Sequence, residues 1–155
     1  MPLFNFFAGP ASVLPMTHDH KEFLRSFDDP KLEAIIETMF LGAYADGEFS
    51  DVERRHFAQS VEALTDGRLA GPKFDTLVNR VIDALASGTR DARLQLIKQR
   101  LPDLAARKVA LSLAVQLMAA DGIVRTSERE LILELADALE IDRDQAADIV
   151  AKLAR

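Results

Sequence analysis

A chain of 155 residues, 48% apolar and 28% charged, is neither disordered nor fibrous. A chain of this length buries roughly 70% of the surface that its unfolded form would expose. It has no cysteine, which removes disulfides, thiolate metal sites and cysteine nucleophiles together and suits a reducing compartment. A net charge of −6 argues against nucleic acid as the main partner.

Residues 1–17 (MPLFNFFAGPASVLPMT) carry three prolines and no helical period, and read as an irregular N-terminal arm before a single domain over 18–155. The cluster of Leu3, Phe4, Phe6 and Phe7 is expected to pack on its own domain or stay unstructured, with membrane or partner docking as the alternative. No secretory signal is visible, since the first basic residue is Lys21 and Asn5, Gly9 and Pro10 break the early apolar stretch. The longest apolar run, Val109 to Ala120, falls short of the roughly 20 residues a membrane helix needs. A cytoplasmic protein is expected.

A short helix is predicted from about His18 to Phe27. Asp29-Pro30 starts the next, with Asp29 as N-cap and proline at the first helical position. Leu32, Ile35, Ile36, Met39, Phe40 and Ala43 form its apolar stripe, and Asp46-Gly47 ends it. Ser50 with Glu53 makes a capping box for a helix that buries Phe57, Val61 and Leu64 and stops near Asp66-Gly67. Gly71-Pro72 opens a helix striped with Phe74, Leu77, Val78, Val81, Ile82 and Leu85, closed by Ser87-Gly88. A basic helix over about Asp91–Leu101 turns Leu94, Ile97 and Leu101 to one side, and Pro102-Asp103 breaks it. From Leu104 to Ala120 the chain is apolar almost all round, which belongs in the middle of a bundle. A further helix carries Leu131, Ile132, Leu135 and Leu139, and Asp142 with Gln145 caps the last one, with Ile149, Val150 and Leu153.

No segment alternates with period two, so the fold class is all-α. One stretch is written twice: ADGEFSDVER at 45–54 returns as ADGIVRTSER at 120–129. Aligning the two pairs residues 30–86 with about 104–154, each reading helix, Asp-Gly turn, helix, loop, helix. The expectation is a seven- to eight-helix bundle of two three-helix units related by a pseudo-twofold, because neither unit buries both faces alone.

Glycine, five residues, then glutamate is also the second half of a calcium-binding EF-hand loop. Asp46 and Asp121 match its fifth position, Phe49 and Val124 its eighth, Glu53 and Glu128 its twelfth. Positions one and three are Gly42 and Tyr44 in one copy and Leu117 and Ala119 in the other, so neither loop builds the full oxygen cage. A reduced site remains open, with Asp46, Glu53, Asp121 and Glu128 as carboxylate ligands, Glu48 as a fifth donor, and water completing the shell of calcium or magnesium, ahead of zinc. The competing reading is structural: aspartate caps the turn, glycine takes positive φ, and glutamate satisfies amides at the next helix start.

Other candidates are weaker. His18-Asp19-His20 has metal-ligand residues but lacks a third ligand, and reads as a solvated helix end. His56 aligns with Leu131 and is expected to be a partly buried core histidine. Arg93 to Arg100 read as a solvated face, with an acidic partner as the alternative. Tyr44 reads as packing. There is no Gly-rich phosphate loop, nucleophile elbow or His–Asp–Ser set, so no enzyme is expected.

The duplicated Ala-Asp-Gly-x-apolar-x3-Glu signature on a helical frame resembles the TerB family of tellurite-resistance proteins, and the related domain of a membrane-anchored DnaJ-like co-chaperone, over about residues 30–154. The resemblance implies a bundle of two pseudo-symmetric halves, a role in tellurite or chemical-stress response, divalent-cation binding by acids that fall on Asp46, Glu53, Asp121 and Glu128, and partner proteins at the inner face of the membrane. In the second copy Arg125 stands where the first has Ser50, and Ile123 where it has Glu48. The co-chaperone-like alternative is a protein-interaction scaffold without metal, its turns purely structural. Oligomeric state, partner identity and any peripheral membrane association stay open.

Overall fold

In the computed structural model, which describes residues 18–44, 49–119 and 124–153, those residues form eight helices and no strand. They are α1 (His18–Arg25), α2 (Asp29–Ala43), α3 (Asp51–Leu64), α4 (Pro72–Ser87), α5 (Arg90–Arg100), α6 (Leu104–Met118), α7 (Thr126–Ala138) and α8 (Arg143–Leu153). The all-α bundle expected from the sequence is the fold. Its order follows the duplication, with α2–α3–α4 repeated as α6–α7–α8 and α5 standing between. The irregular arm at 1–17 lies outside the described residues. No described helix is long and apolar enough to cross a membrane.

Helices start where short polar side chains can take up free amides. Asp28, not Asp29, is the N-cap of α2: its Oδ1 accepts from the Lys31 amide at 3.0 Å, which puts Pro30 at the second position. Thr89 caps α5 through the Ala92 amide at 3.1 Å, and Asp142 accepts from the Asp144 amide at 3.2 Å at the start of α8. Helices α3 and α7 end alike. Asp66 (φ 53°) and Glu140 (φ 58°) turn left-handed, and Gly67 and Ile141 donate back to Glu62 and Ala136 carbonyls at 2.9 and 2.8 Å.

The most extensive helix–helix packing is that of α2 against α6. The all-round apolar character of α6 predicts its central place, but α2 is equally enclosed. Beyond its expected stripe it also buries Ala34, Leu41, Thr38 and Glu37, because α4, α5, α6 and α7 surround it. Gly42 makes the approach possible: a methyl group there would lie 3.2 Å from both Ala114 Cβ and Met118 Sδ. Thr38 satisfies its hydroxyl by donating to the Ala34 carbonyl at 2.8 Å.

Glu37 cannot be satisfied within its own helix. It is 1% exposed and accepts two bonds from Arg93 of α5, at 2.6 Å from Nε and 3.0 Å from Nη2. This corrects the reading of the basic helix as a solvated face. Arg90 pairs with Glu134 at 2.9 Å and Lys98 with Glu140 at 3.0 Å, so the acidic counterpart of α5 is the chain itself. Arg107 closes the next corner, donating to the Leu101, Pro102 and Leu139 carbonyls at 2.8 Å each.

Two further expectations need correction. His56 is exposed, because α3 buries only the Phe57, Ser60, Val61 and Leu64 side. The α4 stripe is narrower than predicted, with Ile82 37% exposed and Leu85 half-buried at its margin. The predicted core positions of α3, α5 and α7 are all buried as expected.

Replacing Glu37 with Ala leaves the Arg93 guanidinium facing the core without its partner. Chemical denaturation should register a loss of about 3 kcal/mol for Glu37→Ala. Glu33→Ala, which removes the more exposed pair with Arg80, should cost about 1 kcal/mol or less.

Candidate cation site at the Asp-Gly turns

Each copy of the repeated stretch joins two helices, α2 to α3 and α6 to α7, and the helix ends that lead into them meet. The position of a Gly42 methyl would be 3.2 Å from Met118 Sδ of α6 and 3.4 Å from Leu135 Cδ1 of α7. Both copies therefore leave the described helices at one end of the bundle. Of the five acids expected to bind a cation, Asp46, Glu48 and Asp121 lie outside the described residues. Glu53 and Glu128 lie inside.

Both glutamates act as helix caps. Glu53 Oε1 accepts from the Ser50 amide at 3.0 Å while Ser50 Oγ accepts from the Glu53 amide at 3.1 Å, closing the capping box. Glu128 Oε1 accepts from the Arg125 amide at 2.9 Å. Arginine offers no acceptor to return that bond, so the second box is half a box. The Arg125 guanidinium sits 3.7 Å from the same Glu128 oxygen and partly neutralises it. Glu53 has no ion-pair partner among the described residues, so the first repeat keeps an uncompensated carboxylate.

The described residues on either side of the first Asp-Gly stretch are joined by an aromatic cluster. Tyr44, the C-cap of α2, places its ring centroid 6.0, 4.9 and 5.3 Å from those of Phe40, Phe49 and Phe57. Phe49 anchors the residues after the turn by packing edge-on to Phe40 at 5.1 Å. In the second repeat the smaller Val124 fills the matching place against the core. Burial pushes the Tyr44 phenol up to about 12, and the negative charge of Glu53 adds to the rise. The tyrosine thus reports on the charge carried by Glu53. The sequence marked Tyr44 as packing, but the cluster around it draws on α2, α3 and the turn and has no local signature.

Among the described residues no group of three or more His, Cys, Asp or Glu side chains could hold a metal ion. Cation binding at this end therefore requires Asp46, Glu48 or Asp121 beside the two capping glutamates. The His18-Asp19-His20 triplet opens α1, and the side chains of His18 and Asp19 lie outside the described residues. Compared with protein-family models, curated proteins and solved structures, the chain finds no match in any of the three.

Tyr44 is the only tyrosine, so phenolate absorbance follows it alone. The folded protein should titrate near pH 12 and the denatured chain near 10. The stability conferred by a neutral buried phenol is complete below the unfolded value and is lost as pH rises through the folded one. Glu53→Gln should bring the folded midpoint part of the way down, and an unmoved midpoint would leave burial as the sole cause.

Proposed function

We propose that the chain is a TerB-like, non-enzymatic stress-response module that binds a divalent cation, calcium or magnesium, at the end of the bundle carrying the two Asp-Gly turns. The observation that carries this reading is the repeat of Asp-Gly-x-apolar-x3-Glu at two helix ends that touch. Asp46, Glu48 and Glu53 are the principal ligands, with Asp121 and Glu128 joining from the second repeat. Hard oxygen donors of this kind suit calcium or magnesium rather than zinc. The first repeat dominates, because Glu53 has no ion-pair partner among the described residues while Glu128 shares its oxygen with Arg125. Partner proteins engage the same acidic end, in the cytoplasm or at the inner face of a membrane. An acidic face repels tellurium oxyanions, so the role in chemical stress is indirect.

A second reading is favoured by the capping bonds themselves. Glu53 and Glu128 already satisfy helix amides, which is the whole duty of such a turn in a protein-interaction scaffold. Calorimetric titration separates the two. Calcium or magnesium should bind the wild type saturably and lose most of its affinity to the Asp46→Asn, Asp121→Asn double variant, with helix content unchanged. A wild type that takes up neither cation leaves the scaffold reading in place.

A further inference from the structure

The likeness of the two halves reaches one helix further back than the three-helix units, because α1 and α5 are held in matching ways. Each leads into the central helix of its unit through a short corner, residues 26–28 and 101–103. Each is tied to the left-handed residue that follows the unit's second helix. Lys21 and Arg25 of α1 reach Asp66 at 3.4 and 3.0 Å, and Lys98 of α5 reaches Glu140 at 3.0 Å. An arginine then fastens each corner by its carbonyls. Arg68 donates to Leu24 and Phe27 at 3.4 and 2.9 Å, as Arg107 does to Leu101 and Pro102 at 2.8 Å each.

The two helices differ in what they cover on the opposite unit. Helix α5 packs broadly on α2 and sets Arg93 on Glu37, which shares a helix face with Ala34 and Leu41. All three of these α2 residues are buried. The repeat carries their positions to Val109, Ser112 and Gln116 of α6. Among the described residues α1 makes no comparable packing on α6, and Val109 and Ser112 are only half-buried. Gln116 is 8% exposed, and its buried Oε1 has no hydrogen-bond partner. A buried acceptor without a donor is costly, so this face calls for an amide. Side chains on a helix lean towards its N-terminus, which turns Gln116 back along α6 and away from the Asp-Gly turn.

We infer that the N-terminal arm, residues 1–17, docks on this face of α6, covering Val109 and Ser112 and giving a backbone amide to Gln116 Oε1. The place where the arm ends argues for it. Counted from the matching corners, residues 90–93 of α5 correspond to 15–18, where the arm joins α1. The chain that meets the Ser112 position, as Arg93 meets Glu37, is therefore the end of the arm. Val13, Leu14 and Met16 lie beside that junction and supply apolar cover for Val109. The inference does not rest on cation binding at the Asp-Gly turns.

The chain has no cysteine, so cysteine pairs placed in the full-length protein test the contact. A disulfide closes only where two Cα atoms come within about 7 Å. Leu14→Cys with Ser112→Cys should form one within a single chain under mild oxidation, seen as faster migration on a non-reducing gel. Leu14→Cys with Asp83→Cys, exposed on α4, should stay reduced. Moving the arm cysteine to Val13 or Met16 keeps the result independent of which side chain faces α6. Hydrogen exchange of the arm's amides gives a second measurement on the unlabelled chain: they should exchange more slowly than in a free peptide of residues 1–17, and Gln116→Leu should speed at least one of them. Oxidation of both pairs alike or of neither, or arm amides that exchange as fast as the free peptide, overturns the proposal. So does a disulfide between two chains, which would give the face to the arm of a second copy.

Discussion

The approach of α2 to α6 is the constraint on which the rest of the bundle depends. Two helices come this close only where bulk is missing at the crossing, and here Gly42 faces Ala114. Once they are in contact, each has neighbours on every side, so neither has room for a solvated face. The other elements then take up what the central pair leaves uncovered. Phe57, Val61 and Leu64 come from α3, Phe74 to Val81 from α4, and Leu131 to Leu139 from α7 and its C-cap, all in one connected core.

A charge in the middle of such a core needs a reason, and Glu37 has one in Arg93. Its two hydrogen bonds tie the helix between the repeats to the central helix, while Arg90 and Lys98 tie the same helix to the second repeat. A buried pair of this kind adds little net stability over an apolar pair of the same shape. Its effect is positional: α5 can sit in one register only, because a one-turn shift would strand Glu37 without a donor. The exposed pairs act more weakly. Arg25 and Lys21 hold Asp66, Arg143 holds Asp137 and Lys98 holds Glu140 below the usual carboxylate range, yet all three carboxylates remain in water.

What the sequence made legible was local. Apolar spacing placed the stripes, and Ser50 three residues before Glu53 placed a capping box at its true position. The features that escaped it depend on partners far along the chain. Arg93 looks like any helix-surface arginine until Glu37, 56 residues away, is seen to need it. Gly42 looks like a weakness inside a helix until α6 lies against it. His56 was misjudged for a different reason: alignment with Leu131 carries over position but not burial, and α3 is the less covered of the two equivalent helices. At the turns the limit is chemical. A glutamate three residues after an N-cap is placed to bond that cap's amide, and the same spacing puts it where an EF-hand places its last ligand. Sequence spacing alone cannot separate these two uses, and Glu53 and Glu128 satisfy the first of them.

The duplication also explains why the two halves could diverge at their edges without losing the fold. Core positions are coupled through the α2–α6 contact, so Ile36 and Leu111, or Phe57 and Ile132, stay apolar in both copies. Residues at the rim touch only their own unit and are free to change one at a time. At the turn end, Ser50 and Glu48 in the first copy become Arg125 and Ile123 in the second, trading negative charge for a guanidinium beside Glu128. At the outer groove between the second and third helix of each unit, Phe74, Asp75 and Asn79 of the first copy become three alanines in the second, and both copies keep a hollow there, of about 320 and 360 Å³. The first is the more acidic at its turn and holds Arg54 on Asp75 and Asn79, whereas the second is nearly neutral at its turn and leaves Arg129 without an ion-pair partner among the described residues.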